Sequence, residues 1–216
     1  MSRVLILHGY FRSGASHRVR IALNLKGVPY EQKFYHLRRG ENTSPQYLAL
    51  NPQGLVPSLQ SDGAIITQSL AILEYLEEEF PEQPLLPADR IGRVRARSLA
   101  DICAVDTHPL NNLRVLKYLE KELGLDEKAR LAWCAQWFAR CFGPLEARLS
   151  RDPETGRFCH GDQPTFADIC LAPQVWSARR FAFDLSPYPT VCRVYENAAS
   201  MDAFDRALPS RQPDAE

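Results

Sequence analysis

The spacing of apolar residues changes near the middle of the chain, and the first part alternates short apolar runs with helical patterns. Val4 to Leu7 is a continuous apolar run that predicts a buried strand. The apolar positions from Val19 to Leu23 predict a helix that stops at Gly27, and Tyr30 to Tyr35 predicts a second strand. The chain is therefore expected to open with a strand, a helix and a strand.

A hairpin and a further helix are predicted next. Ser44 to Leu50 predicts a short helix, and two short runs, Val56 to Leu59 and Ala64 to Thr67, are joined through Asp62-Gly63. An Asp-Gly pair between such runs is a strong hairpin signal, because both residues tolerate a positive φ. Ser69 is a favourable N-cap residue and predicts the start of the next helix.

A proline-rich segment separates this part from a helical remainder. Pro81 to Pro87 carries three prolines, which favours an extended linker, and divides the chain into domains of residues 1–84 and 88–216. Apolar residues then recur at helical spacing, with a break expected at Pro109 and a long helix over Leu131 to Leu149.

Smaller features complete the second half. Thr165 and Asp168 fit a capping box that opens a helix running toward Phe181. The polar segment from Pro209 to Glu216 is expected to fray. The aromatic residues of the long helix are expected to lie in the core: Trp133, Trp137 and Phe138.

Composition and charge exclude several classes of function. With 216 residues and 45% hydrophobic content, the chain can bury a proper core. Lys+Arg 26 and Asp+Glu 26 cancel, so the sequence lacks the basic footprint of a nucleic-acid-binding protein. The apolar runs are too short for a membrane helix, and the first residues lack a secretory pattern, so a cytoplasmic protein is expected.

The six cysteines contain no C-x-x-C pair, and His8, His17, His36 and His160 show no metal-ligand spacing. No metal site is therefore predicted, and the cysteines are expected to be buried, reduced thiols. A redox or thiol-transfer function would need a cysteine near the N-terminus, but the first one is Cys103, so any thiol chemistry there must come from elsewhere.

The stretch from Tyr10 to Leu23, where a strand passes into a helix, is the most informative. A helix N-terminus presents unpaired amides and the positive end of the helix dipole, so it stabilises an anion, and Arg12 and Ser13 would strengthen that preference. The stretch lacks the Lys-Ser/Thr of a phosphate loop. Taken alone, Ser13-Gly14 also fits an ordinary helix cap.

Several passages occur together in one order along the chain: Arg12-Ser13 with Val19 to Leu23, Leu50 to Pro52 through Val56-Pro57, Gln68 to Ile72, Asp168 to Gln174, and Arg180-Phe181 with Arg211 to Pro213. In these passages the chain resembles the zeta class of glutathione transferases, from Leu5 to Pro213. The resemblance implies an α/β N-terminal thioredoxin-like domain that binds glutathione and an all-α C-terminal domain, the glutathione transferase architecture. It also implies a homodimer.

The resemblance assigns a role to residues of the N-terminal domain. Ser13 would face the glutathione sulfur, and the backbone of Val56 would pair with the tripeptide next to Pro57 in the cis form. Gln68 and Ser69 would hold the γ-glutamyl end. The position of Ser69 at a predicted helix start agrees with that role, because its amide can bind a carboxylate.

Residues of the C-terminal domain complete the implied site. The resemblance places Arg12 and Arg180 near a dicarboxylate substrate, with Arg114 as a further candidate, and a guanidinium fork suits a carboxylate. It places His108 and Asn112 near glutathione. Alternatives stay open, because Arg114 and Arg180 fit solvated surface groups and His108 precedes a proline that bends the chain.

The implied function is a glutathione-dependent cis-trans isomerase of maleylacetoacetate or maleylpyruvate, with a place in aromatic amino acid catabolism. Ser13-Gly14-Ala15 stands where the zeta class usually has Ser-Ser-Cys. The stretch from Ser13 to Arg18, together with Asn24 to Val28, is more similar to bacterial maleylpyruvate isomerases than to animal maleylacetoacetate isomerases. The sequence does not decide between the two acids. A general glutathione transferase or α-halo acid dehalogenase, and a non-catalytic binding protein of the same fold, remain the alternatives.

Overall fold

The computed structural model describes residues 4–216, and these residues form two compact units. The first unit contains the chain up to Leu85 and also Ser200–Glu216, and the second contains Leu86–Ala199. The sequence placed everything after residue 88 in the second domain, whereas Ser200–Glu216 packs with the first unit.

The first unit is built on a sheet that, within the described residues, has four strands in the order β2-β1-β3-β4. β1 pairs in parallel with β2 and antiparallel with β3, and β3 pairs antiparallel with β4. The strands are β1 Leu5–Gly9, β2 Tyr30–Phe34, β3 Ser58–Ser61 and β4 Ala64–Thr67. This is the predicted combination of a βαβ unit and a hairpin.

The helices of the first unit follow the predicted pattern with one correction. Up to Leu85 they are α1 Gly14–Leu25, α2 Pro45–Leu50 and α3 Ser69–Glu79, with Glu41–Thr43 forming a 3₁₀ turn, and a further short helix, Asp202–Ala207, also belongs to this unit. The prediction that Ser69 is the N-cap of α3 is wrong, because the cap position is Gln68 and Ser69 is the first helical residue. The Asp62-Gly63 hairpin is confirmed, with φ of 47° and 84° at its two residues.

The second unit is helical throughout its regular elements. They are α4 Arg90–Asp101, α5 Leu113–Lys121, α6 Glu127–Arg151, α7 Phe166–Arg180 and α8 Pro189–Ala199. A π-helical segment, Ile102–Thr107, continues α4 and ends just before Pro109, so the predicted break is confirmed. The capping box at the start of α7 is also confirmed. The Thr165 side chain accepts from the backbone amide at the Asp168 position, and the Asp168 side chain accepts from the backbone amide of Thr165.

The core of the second unit contains Phe138 and Phe142, whose rings stack. The prediction that Trp133 and Trp137 lie in the core is wrong, because both are only partly buried. Indole is large and carries a polar N–H, and Trp133 donates that N–H to the Leu110 carbonyl at 2.8 Å. The cysteines of the described chain are free thiols, and all except Cys192 are buried.

The end of the chain is ordered, so the prediction that Pro209 to Glu216 frays is wrong. This segment follows α9, Asp202–Ala207, and begins with a 3₁₀ turn, Pro209–Arg211. The Gln212 side chain donates to the carbonyls of Arg206 and Leu208, both at 2.8 Å. No helix of residues 4–216 is long and apolar enough to cross a membrane.

Candidate functional site

The sheet brings the predicted residues of the first unit to one edge. Its register aligns His8 of β1 with Ser58 of β3, and Ser58 with Thr67 of β4. The chain leaves this edge toward Ser13 after β1, enters it from Val56-Pro57 before β3, and leaves it into Gln68-Ser69 after β4. Ser13 and the two segments that flank the β3-β4 hairpin therefore meet at the same end of the sheet.

Ser13 caps α1, as the sequence indicated. Its Oγ accepts from the amide of Ser16 at 3.2 Å, and its own N–H donates to the Tyr10 carbonyl at 3.0 Å. The hydroxyl hydrogen of Ser13 is left to donate to a further acceptor. Because Ser13 is half-buried at the positive end of α1, an anion placed beside it is stabilised by the hydroxyl and the helix dipole together.

Arg12 lies next to this cap and is also half-buried. Its Nη2 donates to the Tyr10 hydroxyl at 3.3 Å, and its guanidinium lies 5.3 Å from the centre of the Phe11 ring. These contacts hold the cation beside the N-terminus of α1. A positive charge here favours the ionised form of any acidic group that binds at Ser13.

The loop before β3 is held by buried side chains. Val56-Pro57 is a cis peptide bond, as the resemblance implied. The carbonyl of Leu55, immediately before it, accepts from the Tyr47 hydroxyl at 2.6 Å and from the Asn51 amide at 2.8 Å. The backbone next to Val56 is therefore held in position from the side of the protein interior.

Gln68 and Ser69 form the third segment. Gln68 is exposed and has a φ of 69°, which is unusual for a residue with a side chain and is a kind of strain found at ligand-binding positions. Ser69 begins α3 and is 6% exposed. Its Oγ accepts from Nη1 of Arg18 at 2.9 Å, so the hydroxyl hydrogen is directed away from the guanidinium.

Helix α1 carries buried cationic and titratable side chains behind this edge. His17, Arg18 and Arg20 are 2%, 2% and 1% exposed. Burial, together with the positive charges of Arg20 and Arg18, holds the pKa of His17 well below its usual value, so the imidazole is neutral. Burial also lowers the pKa of Arg20 to about 10, which leaves the guanidinium charged at neutral pH.

The remaining predicted residues belong to the second unit. His108 follows the π-helical segment, and its amide donates to the Cys103 carbonyl at 3.0 Å. Asn112 caps α5, and its Oδ1 accepts from the amide of Arg114 at 3.0 Å. The Arg114 side chain is exposed. Arg180 is exposed at the end of α7, with its guanidinium 4.3 Å from the centre of the Phe181 ring.

Sequence reasoning missed the residues that support the first-unit segments. These are Tyr47 and Asn51 at the Leu55 carbonyl, Arg18 at Ser69, and Arg20 with Asp214 at the backbone of Phe11. The Arg18-Val19-Arg20 pattern inside an apolar helix could have indicated that such partners exist, because arginines in a buried helix are normally paired. Among residues 4–216, no group of three or more His, Cys, Asp or Glu side chains is arranged to hold a metal ion.

Family comparisons agree with this arrangement. The sequence model for the glutathione S-transferase N-terminal domain matches residues 12–79, and that for the C-terminal domain matches residues 113–208. A maleylpyruvate isomerase from Ralstonia sp is 52% identical over 209 residues, covering 97% of this chain and 99% of that protein.

Solved structures extend the comparison to the fold. The holo structure of a maleylpyruvate isomerase, described as a bacterial zeta-class glutathione S-transferase, has a TM-score of 0.96 and 51% identity, covering 98% of this chain and 100% of that one. A maleylacetoacetate isomerase from Methylobacterium extorquens AM1, with bound malonate and glutathione, has a TM-score of 0.95 and 47% identity, covering 98% and 99%. The chain therefore belongs to the glutathione S-transferase family, in the zeta-class group with these isomerases.

Proposed function

We propose that this protein is a glutathione-dependent cis-trans isomerase that converts a maleyl diacid, maleylacetoacetate or maleylpyruvate, into its fumaryl product. The observation that carries the proposal is the meeting of Ser13, Val56-Pro57 and Gln68-Ser69 at one edge of the sheet. The names of the relatives, and the glutathione and malonate bound in one of them, support the same function.

The first unit provides the glutathione site in this proposal. The backbone of Val56 pairs with the tripeptide, while Gln68 and the amide and hydroxyl of Ser69 bind its γ-glutamyl carboxylate. The buried guanidinium of Arg18 adds a favourable positive charge behind Ser69. The residues present fit glutathione. The Arg18 charge behind Ser69 suits its anionic γ-glutamyl end, and the capped N-terminus of α1 at Ser13 suits its thiol.

Ser13 and Arg12 prepare the site for chemistry. A free thiol has a pKa of about 8.5, so only a small fraction is ionised at neutral pH. The Ser13 hydroxyl donates to the sulfur, and the N-terminus of α1 and the Arg12 guanidinium favour its negative charge. When bound, glutathione supplies a thiolate that adds reversibly to the conjugated cis double bond, which permits rotation about that bond, and it is not consumed.

The substrate carries two carboxylates, and negative charge develops on the conjugated carbonyl during the reaction. Arg12, Arg114 and Arg180 are the proposed cations for these groups, because fixed positive charge placed where charge develops lowers the barrier. His108 and Asn112 are proposed to assist at glutathione. In this proposal the first unit holds glutathione, and the helical second unit, Leu86–Ala199, contributes residues that bind the substrate.

The test is direct. Purified protein is incubated with maleylacetoacetate or maleylpyruvate, with and without glutathione, and loss of the substrate absorbance is followed while free thiol is titrated. We expect glutathione-dependent loss of absorbance with full recovery of the thiol. Stoichiometric loss of thiol would indicate a conjugating transferase instead, and no turnover of either acid would contradict the isomerase.

The proposal extends to assembly, location and pathway. We propose a homodimer located in the cytoplasm, acting in aromatic amino acid catabolism. Sedimentation equilibrium of the purified chain tests the first point, and a monomer at micromolar concentration contradicts it. Cell fractionation tests the second, and growth of a deletion strain on aromatic carbon sources tests the third.

A further inference from the structure

The peptide backbone of Phe11, one residue before Arg12, is held on both of its polar sides. Its N–H donates to Oδ2 of Asp214 at 2.9 Å, and its C=O accepts from Nη2 of Arg20 at 2.9 Å. An acidic side chain binds the donor and a basic side chain binds the acceptor, so both hydrogen bonds are strengthened by charge. Asp214 and Phe11 are 203 residues apart in sequence.

Arg20 is itself fixed. It is 1% exposed, its Nε donates to the Ala207 carbonyl at 3.0 Å, and its Nη1 approaches the Tyr10 carbonyl at 3.5 Å. A planar guanidinium that is fully buried and bonded in several directions has little freedom to move. The position of the Phe11 carbonyl is therefore defined by helix α1 and by the end of α9.

The residues on both sides of Asp214 are tied to the rest of the first unit by hydrogen bonds. Gln212, two residues earlier, donates to the carbonyls of Arg206 and Leu208, and Glu216 accepts from Nη2 of Arg39 at 2.8 Å. Oδ1 of Asp214 is buried without a hydrogen-bond partner among the described residues. The hydrogen bond to Phe11 is therefore the contact that orients this carboxylate.

Phe11 lies inside the turn that delivers Arg12 and Ser13. The turn is closed by the hydrogen bond from the Ser13 amide to the Tyr10 carbonyl, the same carbonyl that Arg20 approaches. A shift of the Phe11 peptide therefore moves both side chains that follow it. Rate and thiol ionisation are sensitive to displacements of about 1 Å at such positions.

We infer that Arg20 and Asp214 are positioning residues, which together hold the Tyr10 to Ser13 turn so that the Ser13 hydroxyl and the Arg12 guanidinium meet the glutathione sulfur. Neither residue needs to touch the sulfur. The inference rests on the proposed function for the identity of the ligand, and on the contacts above for the mechanism of positioning.

The experiment compares Asp214→Ala and Asp214→Asn with Asp202→Ala as the matched control. Asp202 lies in the same C-terminal segment, but its side chain is 79% exposed and pairs with Arg206 at the surface. Three quantities are measured for each variant: exchange of the Phe11 amide in the unliganded protein, ultraviolet titration of the thiolate of bound glutathione, and kcat/KM for glutathione.

We expect Asp214→Ala to exchange the Phe11 amide faster, to raise the pH at which the bound thiol ionises, and to lower kcat/KM for glutathione roughly tenfold. Asp214→Asn keeps an oxygen acceptor of the same length, so it should show smaller changes in the same directions. Asp202→Ala should match the wild type in all three quantities.

An unchanged thiol titration in folded Asp214→Ala would overturn the inference, even if the amide exchanged faster. Should Asp214→Ala fail to fold, the same titration of Asp214→Asn decides, and a midpoint identical to that of the wild type overturns the positioning role. If the wild type isomerises neither acid, the proposed function fails. The exchange and titration comparisons would still test the role of Asp214.

Discussion

Arg18 and Ser69 are joined by a buried hydrogen bond of 2.9 Å between Nη1 and Oγ, which links the middle of α1 to the first residue of α3. Both residues are at least nine-tenths buried. The bond connects two of the segments that meet at the sheet edge. The serine proposed to bind glutathione is therefore also part of the interior of the first unit.

Ser69→Ala is expected to affect both stability and ligand binding. Arg18 would lose a buried acceptor, which should lower the free energy of unfolding by roughly 1–3 kcal/mol. Glutathione affinity should also fall, because the Ser69 hydroxyl and the N-terminus of α3 are part of the proposed glutathione site. Urea unfolding and calorimetric titration with glutathione measure the two effects. Ser150→Ala, at an exposed position of α6, should change neither.

Ser13→Ala should separate capping from chemistry. Loss of the cap should lower stability by about 1 kcal/mol, since Ser16 loses its side-chain acceptor. If Ser13 donates to the glutathione sulfur as proposed, loss of its hydroxyl should lower kcat by roughly a hundredfold and raise the pH at which the bound thiol ionises. Ser13→Thr keeps both functions and should retain most activity. Equal loss of kcat in both variants would show that the hydroxyl is not the active group.

Because His17 is buried as a neutral imidazole, the free energy of unfolding is expected to fall in acid. Its pKa is held well below 6.5 in the folded protein, so at pH between these two values the unfolded chain binds a proton that the folded chain does not. Stability therefore rises with pH in this window and is lost as pH falls below about 6.5, by up to about 1.4 kcal/mol per pH unit. Thermal unfolding between pH 5 and pH 7 measures this slope.

His17→Asn provides the comparison, because its side chain does not titrate in this range. We expect the variant to be less stable than the wild type at pH 7 but to show a flatter dependence of melting temperature on pH. A slope identical to that of the wild type would mean that His17 is protonated in the folded state or that another group controls acid unfolding.

Tyr47→Phe tests the support of the loop before β3. Tyr47 is fully buried, and its hydroxyl donates to the Leu55 carbonyl at 2.6 Å. Removing it should lower the free energy of unfolding by about 1 kcal/mol and raise KM for glutathione, with a smaller effect on kcat. Tyr118→Phe, at an exposed position of α5, is the control and should leave both parameters unchanged.

Asp168→Ala should strongly destabilise the second unit. The carboxylate is 1% exposed and accepts from the amides of Cys159 and Thr165, both at 2.8 Å. Loss of these bonds should lower the free energy of unfolding by about 3 kcal/mol. Asp184→Ala removes an exposed carboxylate that accepts from Ser186 and should have an effect within about 0.5 kcal/mol. Chemical unfolding followed by tryptophan fluorescence reports both.

Local patterns were sufficient to predict most elements and part of the site. The apolar run after Val4, the Asp62-Gly63 turn and the capping box at Thr165 each depend on neighbours in sequence, and each was confirmed. Ser13 was predicted as a helix cap from its place before α1 and is one. The relation of Ser13 to a thiol came from the family resemblance rather than from spacing.

The missed arginine partners and the wrong prediction for the C-terminal segment have a common physical origin in long-range contacts. Arg18 and Arg20 can be buried because oxygen atoms of Ser69, Phe11 and Ala207 accept hydrogen bonds from their guanidinium groups. Local sequence patterns do not predict these partners. The segment after Pro209 is polar and was expected to fray, but the side chains of Gln212 and Asp214 accept hydrogen bonds from Gln32 and from the Phe11 amide of the same unit. Ser69 was displaced from the cap position by the unusual backbone at Gln68.

The return of the chain to its first unit constrains how the protein matures during synthesis. The acceptor at Ala207 and the carboxylate of Asp214 leave the ribosome after every residue of the second unit has been made. A nascent chain that has just completed α3 holds Arg20 without its Ala207 acceptor and the Phe11 amide without Asp214. The turn that carries Arg12 and Ser13 therefore cannot make its full set of hydrogen bonds until Ala207 and Asp214 have been synthesised.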